Sequence, residues 1–219
     1  MLTKFFISLV SLSTFVACNS EKNYQVMSST ANSSVMDKVD TATFGTGCFW
    51  CTEAIFEQLN GVLKVTSGYM GGTKENPSYE EVCTGETGHA ECIQVIYEAS
   101  KISYDDLLKV FFQVHDPTSL NRQGADVGTQ YRSAIFYHTP EQREKAEFYK
   151  KELDKSGAYD KSIVTEITPA SAFYSAEDYH QEYYRNNKNT NPYCSIVIRP
   201  KLEKFQKVFA SKLKNPLSP

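Results

Sequence analysis

The sequence predicts an α/β (α+β) fold: a two-layer sandwich, one mixed sheet with flanking helices, around a ferredoxin-like plait core. Three observations lead there. Strand-like alternation and helix-like spacing interleave along the chain in the order β-α-β-β-α-β-α-β, which suits a sheet covered by helices. The helical stretches are long and carry recognisable caps. The composition is 41% hydrophobic and 13% aromatic over 219 residues, enough for one domain with a real core plus a tail.

The elements follow in order. "TATFGTG" is a short strand running into Cys48, and "FWCTEAIFEQLN" carries Phe49, Ala54, Ile55 and Leu59 near helical spacing before Asn60-Gly61 stops it. "HAECIQVIYEA" alternates as a strand, with Glu91 sharing a face with Ile93 and Val95 and Cys92 facing the other way with Gln94. "SYDDLLKVFFQVH" opens on a Ser103/Asp106 capping pair and turns Leu107, Leu108, Phe111 and Phe112 inward. "QYRSAIFYH" is a strand, followed by a helix with Thr139 as N-cap, Pro140 at its first position, Gln142 two further on and Gly157 as its stop. "SIVTEITP" is another strand. "AEDYHQEYYRNN" and "PKLEKFQKVFASKL" read as closing helices.

The N-terminal stretch stands apart. "MLTKFFISLVSLSTFVACNS" has one charge, at Lys4, and an apolar run from Phe5 to Val16 that is shorter than the roughly 20 residues a spanning helix needs. It fits a secretory leader over residues 1–17, and the small Ala17 before Cys18 resembles a bacterial lipoprotein cleavage site, although Phe15 departs from that pattern. On this reading Cys18 carries lipid and residues 18–40, polar and rich in Ser and Asn, form a flexible tether. The tether would hold a catalytic domain, residues 41–213, on a membrane of the cell envelope facing the periplasm or exterior. The formal charge of −3 gives no basic surface for nucleic acid.

Six cysteines minus the lipidated one leave five, which cannot all pair within one chain. In an oxidising compartment an odd thiol favours chemistry over a disulfide framework. "GCFWC" sets two thiols around a Phe and the only tryptophan. Cys48, where a strand turns into a helix, is expected at the N-cap with its sulfur toward free backbone N–H groups, which would ionise it; Cys51, one turn on, is a candidate resolving thiol. Zinc would need two more ligands, and Cys83, His89 and Cys92 are loosely spaced for that. A general dithiol-exchange protein also uses CxxC at a helix start, but bulky Phe49 and Trp50 between the thiols suggest a niche for a small apolar, polarisable group such as a thioether methyl.

"GCFWCTEAIFEQLNGVLKVTSGYMGG", "NPSYEEVCTGETGHAE", "HDPTSLNRQGADVGTQYRSAIFYHTPEQ" and "FYSAEDYHQEYY" together resemble the signature blocks of the A-type peptide-methionine sulfoxide reductases, from about Thr43 to Ile198. The resemblance implies reduction of the S epimer of methionine sulfoxide, in proteins and as the free amino acid. Cys48 would take the oxygen and become a sulfenic acid, and a disulfide would then form and be recycled by a thioredoxin-like donor, with no metal or other cofactor. It assigns Glu91 as proton donor, Tyr79 and Tyr131 as hydroxyls on the sulfoxide oxygen, Asp126 as the residue orienting the polar side, and Phe49 and Trp50 as the cradle of the methyl group. Many members have glycine where this chain has Cys51, so the resolving thiol is either Cys51 or Cys194 of "NPYCSIVI", with Cys51 preferred for its short spacing. Cys83 is expected to be buried and without a role, and Cys92 to stand outside the chemistry. His89, His115, His138 and His180 are not needed; His115 reads as a cationic partner of a helix end. A monomer is expected.

Overall fold

Successive strands alternate their side chains between two apolar layers, and that alternation builds the molecule around one sheet. The computed structural model describes residues 38–214. The leader, Cys18 and nearly all of the tether lie outside the described residues. Strand β1 (Val39–Thr46) leads to helix α1 (Phe49–Phe56), β2 (Val62–Met70), the short α2 (Tyr79–Cys83) and β3 (Ala90–Glu98). Helix α3 (Tyr104–Val114), a two-residue hairpin pair β4 (Arg122–Gln123) and β5 (Asp126–Val127), β6 (Ser133–Tyr137) and α4 (Pro140–Ser156) follow. Strands β7 (Glu166–Pro169) and β8 (Tyr174–Ser175), α5 (Tyr183–Asn187), a π-helical turn (Cys194–Ile198) and α6 (Arg199–Val208) close the chain.

The six-stranded sheet has the order β7-β6-β1-β3-β2-β8. Within it the run β1-α1-β2-β3-α3-β6 folds into the order β6-β1-β3-β2 with antiparallel neighbours, the ferredoxin-like plait. The parallel pair β6/β7 makes the sheet mixed. One face carries the main core, in which Phe44 of β1 packs its ring 5.5 Å from Phe56 of α1 and 5.3 Å from Phe111 of α3. Ile93, Val95 and Tyr97 of β3 join this layer. The opposite face holds a smaller cluster of Met70, Ala90, Cys92, Ala134 and Phe136, covered by Ala170 and Phe173. Cys92 is therefore on the face away from Ile93, and it is buried there.

The caps behave as local chemistry dictates. Thr139 Oγ1 accepts from the Gln142 amide, Pro140 opens α4, and Gly157 ends it at φ 69°, a conformation that costs glycine little. Ser103 Oγ accepts from the Asp106 amide at the start of α3. Tertiary contacts override the pattern elsewhere. The strand read across "SIVTEITP" is shorter, because the Ile163 and Val164 amides donate to Asp154 Oδ1 and to the Pro117 carbonyl instead of to a sheet neighbour. The helix read across "AEDYHQEYYRNN" is broken into a 3₁₀ turn, Asp178–His180, and α5, with Glu182 left-handed at φ 51° between them. The Gln181 side chain causes the break: it accepts from the Ser67 amide and donates to the Ser67 and Ala176 carbonyls, pinning the chain to the edge of β2. Tyr131 lies in a 3₁₀ turn, Thr129–Tyr131, just before β6 and not in the strand. The short α2, with a full capping box between Ser78 and Glu81, was not foreseen from the sequence.

Candidate active site

Gly47 takes φ 92°, and a Cβ there would lie 2.6 Å from Gln123 Cβ, so the turn from β1 into α1 closes tightly and delivers Cys48 to the N-cap of α1. The sulfur makes no cap hydrogen bond. The Phe49 amide at the helix start donates instead to Glu91 Oε2 at 3.0 Å. Glu91 reaches it from β3, on the core face of the sheet opposite Tyr69. The carboxyl is almost fully buried, and burial lifts it to about 8 against the pull of the Phe49 N–H and with help from the charges of Asp126 and Cys51. Glu91 is thus a protonated acid at neutral pH, held beside Cys48.

The expectation that the helix start ionises Cys48 is corrected here. Burial pushes the Cys48 thiol well up, the Cys51 hydrogen bond and charge add to this, and Glu91 adds more. Cys51 carries the low value, about 7, because the Cys48 thiol donates to it, an effect larger than its own burial, with Lys201 and the Tyr193 hydroxyl adding to it. The Lys201 ammonium lies 3.9 Å from Cys51 Sγ. The physical reason is competition for one anion: two adjacent sulfurs in a dry site hold one proton between them, and the sulfur nearer a cation keeps the charge.

Cys194, fully buried at the head of the π-helical turn, packs in one cluster with Cys48, Cys51, Ala54 and Ile198. All three thiols are free. Both candidate resolvers therefore stand together with Cys48. Phe49 is buried, 5.1 Å from the His180 ring and 6.4 Å from Tyr79. Trp50 is half-buried; its Nε1 donates to His180 Nδ1 at 3.0 Å and its face stacks on Tyr183 at 3.7 Å and 8°. Tyr131 packs against the thiol cluster. Tyr79 is fixed through its amide to Glu177 Oε1, and its hydroxyl hydrogen-bonds the Cys83 sulfur. Burial raises both phenols, and both feel the Glu91 charge, so they are donors at any ordinary pH. Asp126 accepts from the Tyr193 hydroxyl at 3.0 Å, and that phenol also hydrogen-bonds Cys48.

Three further expectations change. Cys83 is exposed at the C-terminal end of α2, not buried. His180 is part of the site: its ring is the platform that orients Trp50 and sits 4.4 Å from Tyr79. His115 is no cation; burial holds it down to about 4, and its ring hydrogen-bonds the Phe111 carbonyl and Ser133 Oγ. Cys83, His89 and Cys92 do not converge, since Cys92 lies in the cluster on the other face of the sheet and the His89 ring is engaged by the Gly72 amide and Lys74 carbonyl. Sequence reasoning missed Tyr193, Tyr183 and Lys201. Only Tyr193 left a signal, its place immediately before Cys194.

A protonated carboxyl, vicinal thiols and phenol donors around an aromatic niche, carried on a ferredoxin-like plait, define a thiol-based oxidoreductase. Comparison with known proteins narrows the class. The family model for peptide methionine sulfoxide reductase matches residues 40–213, and the chain belongs to that family. It is 56% identical over 173 residues to peptide methionine sulfoxide reductase MsrA of Natronomonas pharaonis, covering 79% of this chain and 97% of that protein. It is 53% identical over 176 residues to MsrA of Saccharolobus solfataricus, covering 80% and 98%. Among solved structures, the reduced form of Mxr1 from Saccharomyces cerevisiae matches with a TM-score of 0.64 and 34% identity over 70% of this chain and 88% of that one. Methionine sulfoxide reductase A of Corynebacterium diphtheriae matches with a TM-score of 0.60 and 38% identity over 70% and 78%.

Proposed function

We propose that the enzyme reduces the S epimer of methionine sulfoxide, free or within oxidised proteins, with Cys48 as the nucleophile and Glu91 as the acid. The observation that carries this reading is the placement of Glu91, buried and protonated, against the amide next to Cys48. The substrate methyl would lie against Phe49 and Trp50, and the sulfoxide oxygen would be met by the Tyr79 and Tyr131 hydroxyls and by the Glu91 proton. Cys48 attacks the sulfur thus made electrophilic, and its own proton has an acceptor in contact, the Cys51 sulfur. The oxygen passes to Cys48, which is oxidised to a sulfenic acid, while the sulfoxide is reduced to the thioether; the overall proton count does not change. Asp126 steadies Tyr193 against the thiol pair.

A second thiol then closes on Cys48, and a thioredoxin-like donor reduces the resulting disulfide. Reduced enzyme mixed with methionine S-sulfoxide and no reductant should yield methionine; a dithiol exchanger would yield none. Cys51→Ser should still release about one methionine per site but recycle at least about tenfold more slowly with a dithiol donor. Normal recycling in Cys51→Ser together with failure in Cys194→Ser would assign the resolving role to Cys194 instead.

The apolar run from Phe5 to Val16, followed by Ala17-Cys18, supports a lipid anchor on Cys18 and a place on the envelope side of a membrane. Full-length protein made in a bacterial host should incorporate labelled palmitate and sediment with membranes. Cys18→Ser should lose the label; equal labelling of the variant would remove the anchor.

A further inference from the structure

The anion of the thiol pair is held from a distant part of the chain. Lys201 stands in the first turn of α6, a helix seated by Leu202 and Phe205 in the main core, and its ammonium reaches Cys51 Sγ at 3.9 Å. The groups facing Cys51 are Cys48 at the start of α1, Glu91 from β3, Asp126 from the β4–β5 hairpin, Tyr193 and Cys194 from the C-terminal segment, and Lys201. Lys201 is the cation among them. Cys194 is also buried, and its thiol is raised by burial and by the Cys51 charge, with Arg199 pulling the other way.

We infer that Lys201 sets the order in which the thiols act, holding Cys51 as the thiolate that closes first on oxidised Cys48 and leaving Cys194 as the second thiol of a relay. This inference rests on the sulfoxide reductase reading above. In the first step Cys51, having passed the proton it took from Cys48 on to Glu91 or solvent, forms the S–S bond through its thiolate Sγ, the S–O bond of the Cys48 sulfenic acid breaks, and the departing hydroxide takes a proton from the reprotonated Glu91 or solvent to leave as water. In the second, Cys194 attacks the Cys51 sulfur, a Cys51–Cys194 disulfide forms, and Cys48 departs as a thiol ready for another substrate. Lys201 touches one reacting sulfur and acts through its charge, so it is a positioning residue for the recycling half of the cycle.

The test follows the sulfenic acid directly. Reduced wild type, Lys201→Met and Lys201→Arg are each oxidised with one equivalent of methionine sulfoxide. Loss of the Cys48 sulfenic acid is then read against pH by dimedone trapping and mass spectrometry. In the wild type closure should speed up with rising pH through a single midpoint, as Cys51 loses its proton. In Lys201→Met the midpoint should move up by about one unit, slowing closure about fivefold at pH 7, and Lys201→Arg should restore it. Mapping the first disulfide of the wild-type protein needs no variant and should give Cys48–Cys51. An unmoved midpoint in Lys201→Met, or a first disulfide between Cys48 and Cys194, overturns the inference while leaving the reductase reading intact. Absence of any sulfenic acid or methionine overturns both.

Discussion

Cys48→Ser is expected to release no methionine from methionine sulfoxide above background, a loss on the order of 10⁴-fold or more. A serine hydroxyl at this position cannot accept the oxygen to form a sulfenic acid, and its proton is held far more tightly than that of a thiol. The site is otherwise preserved by the change. Glu91 is held by the Phe49 amide, and the aromatic walls are held by His180, Tyr183 and Glu177, none of which depends on the sulfur. Substrate binding by the serine variant, read by tryptophan fluorescence because Trp50 is the only tryptophan, should therefore persist. Turnover by Cys48→Ser comparable to wild type would transfer the nucleophile to another thiol and end the present reading. The high proton affinity of Cys48 in the reduced, empty site has a further consequence. Alkylation at mildly acidic pH should fall on Cys51 before Cys48, since Cys51 holds the anion.

Glu91→Gln is the second large effect: the release of the first methionine should slow by roughly 10²-fold or more. Glutamine can still accept from the Phe49 amide, so the geometry survives and only the proton is lost. In the wild type the same step should weaken as pH rises through about 8, where the acid ionises, and Glu91→Gln should lack that limb. A stability measurement supplies an independent sign. The folded-state value of Glu91 is raised above its ordinary carboxyl value, so between that ordinary range and about 8 the folded protein binds more protons than the unfolded chain. Stability must then fall with rising pH across that window and level off above it. Glu91→Gln removes this contribution, so the variant should melt higher than wild type at pH 8 to 9 while being the poorer enzyme. Equal single-turnover rates would remove Glu91 as the acid; an equal dependence of melting on pH would show that its burial carries no such cost.

The two variants separate what was legible in the sequence from what was not. Alternation along "HAECIQVIY" places Glu91 among Ile93 and Val95, and that pattern alone predicts an acid with a raised proton affinity. The strand-to-helix turn at Gly47-Cys48, the capped helix α4 and the alternation of strands and helices along the chain are likewise local readings, made from residues a few positions apart. They are legible because backbone hydrogen bonding and side-chain periodicity act at short range. The same reading mistook the sulfur that bears the charge. A helix start beside a thiol is a local cue for ionisation, but the amide there is claimed by a carboxyl 42 positions away, and an ammonium that favours charge on the second sulfur is 150 positions away.

The sequence by itself determined the alternation of strands and helices, a cysteine on a strand-to-helix turn, an acid on an apolar strand face, and the aromatic pair between two thiols; that the cysteine and the acid work together was implied by the family resemblance. The tertiary structure alone decided that Cys51 and not Cys48 holds the resting anion, that Cys194 joins them, and that Tyr183, Tyr193 and His180 wall the niche. The reason is physical. At buried groups the energy of a charge depends on every polar group within a few ångströms, and those groups arrive from β3, the β4–β5 hairpin, the C-terminal turn and α6 only when the chain has folded.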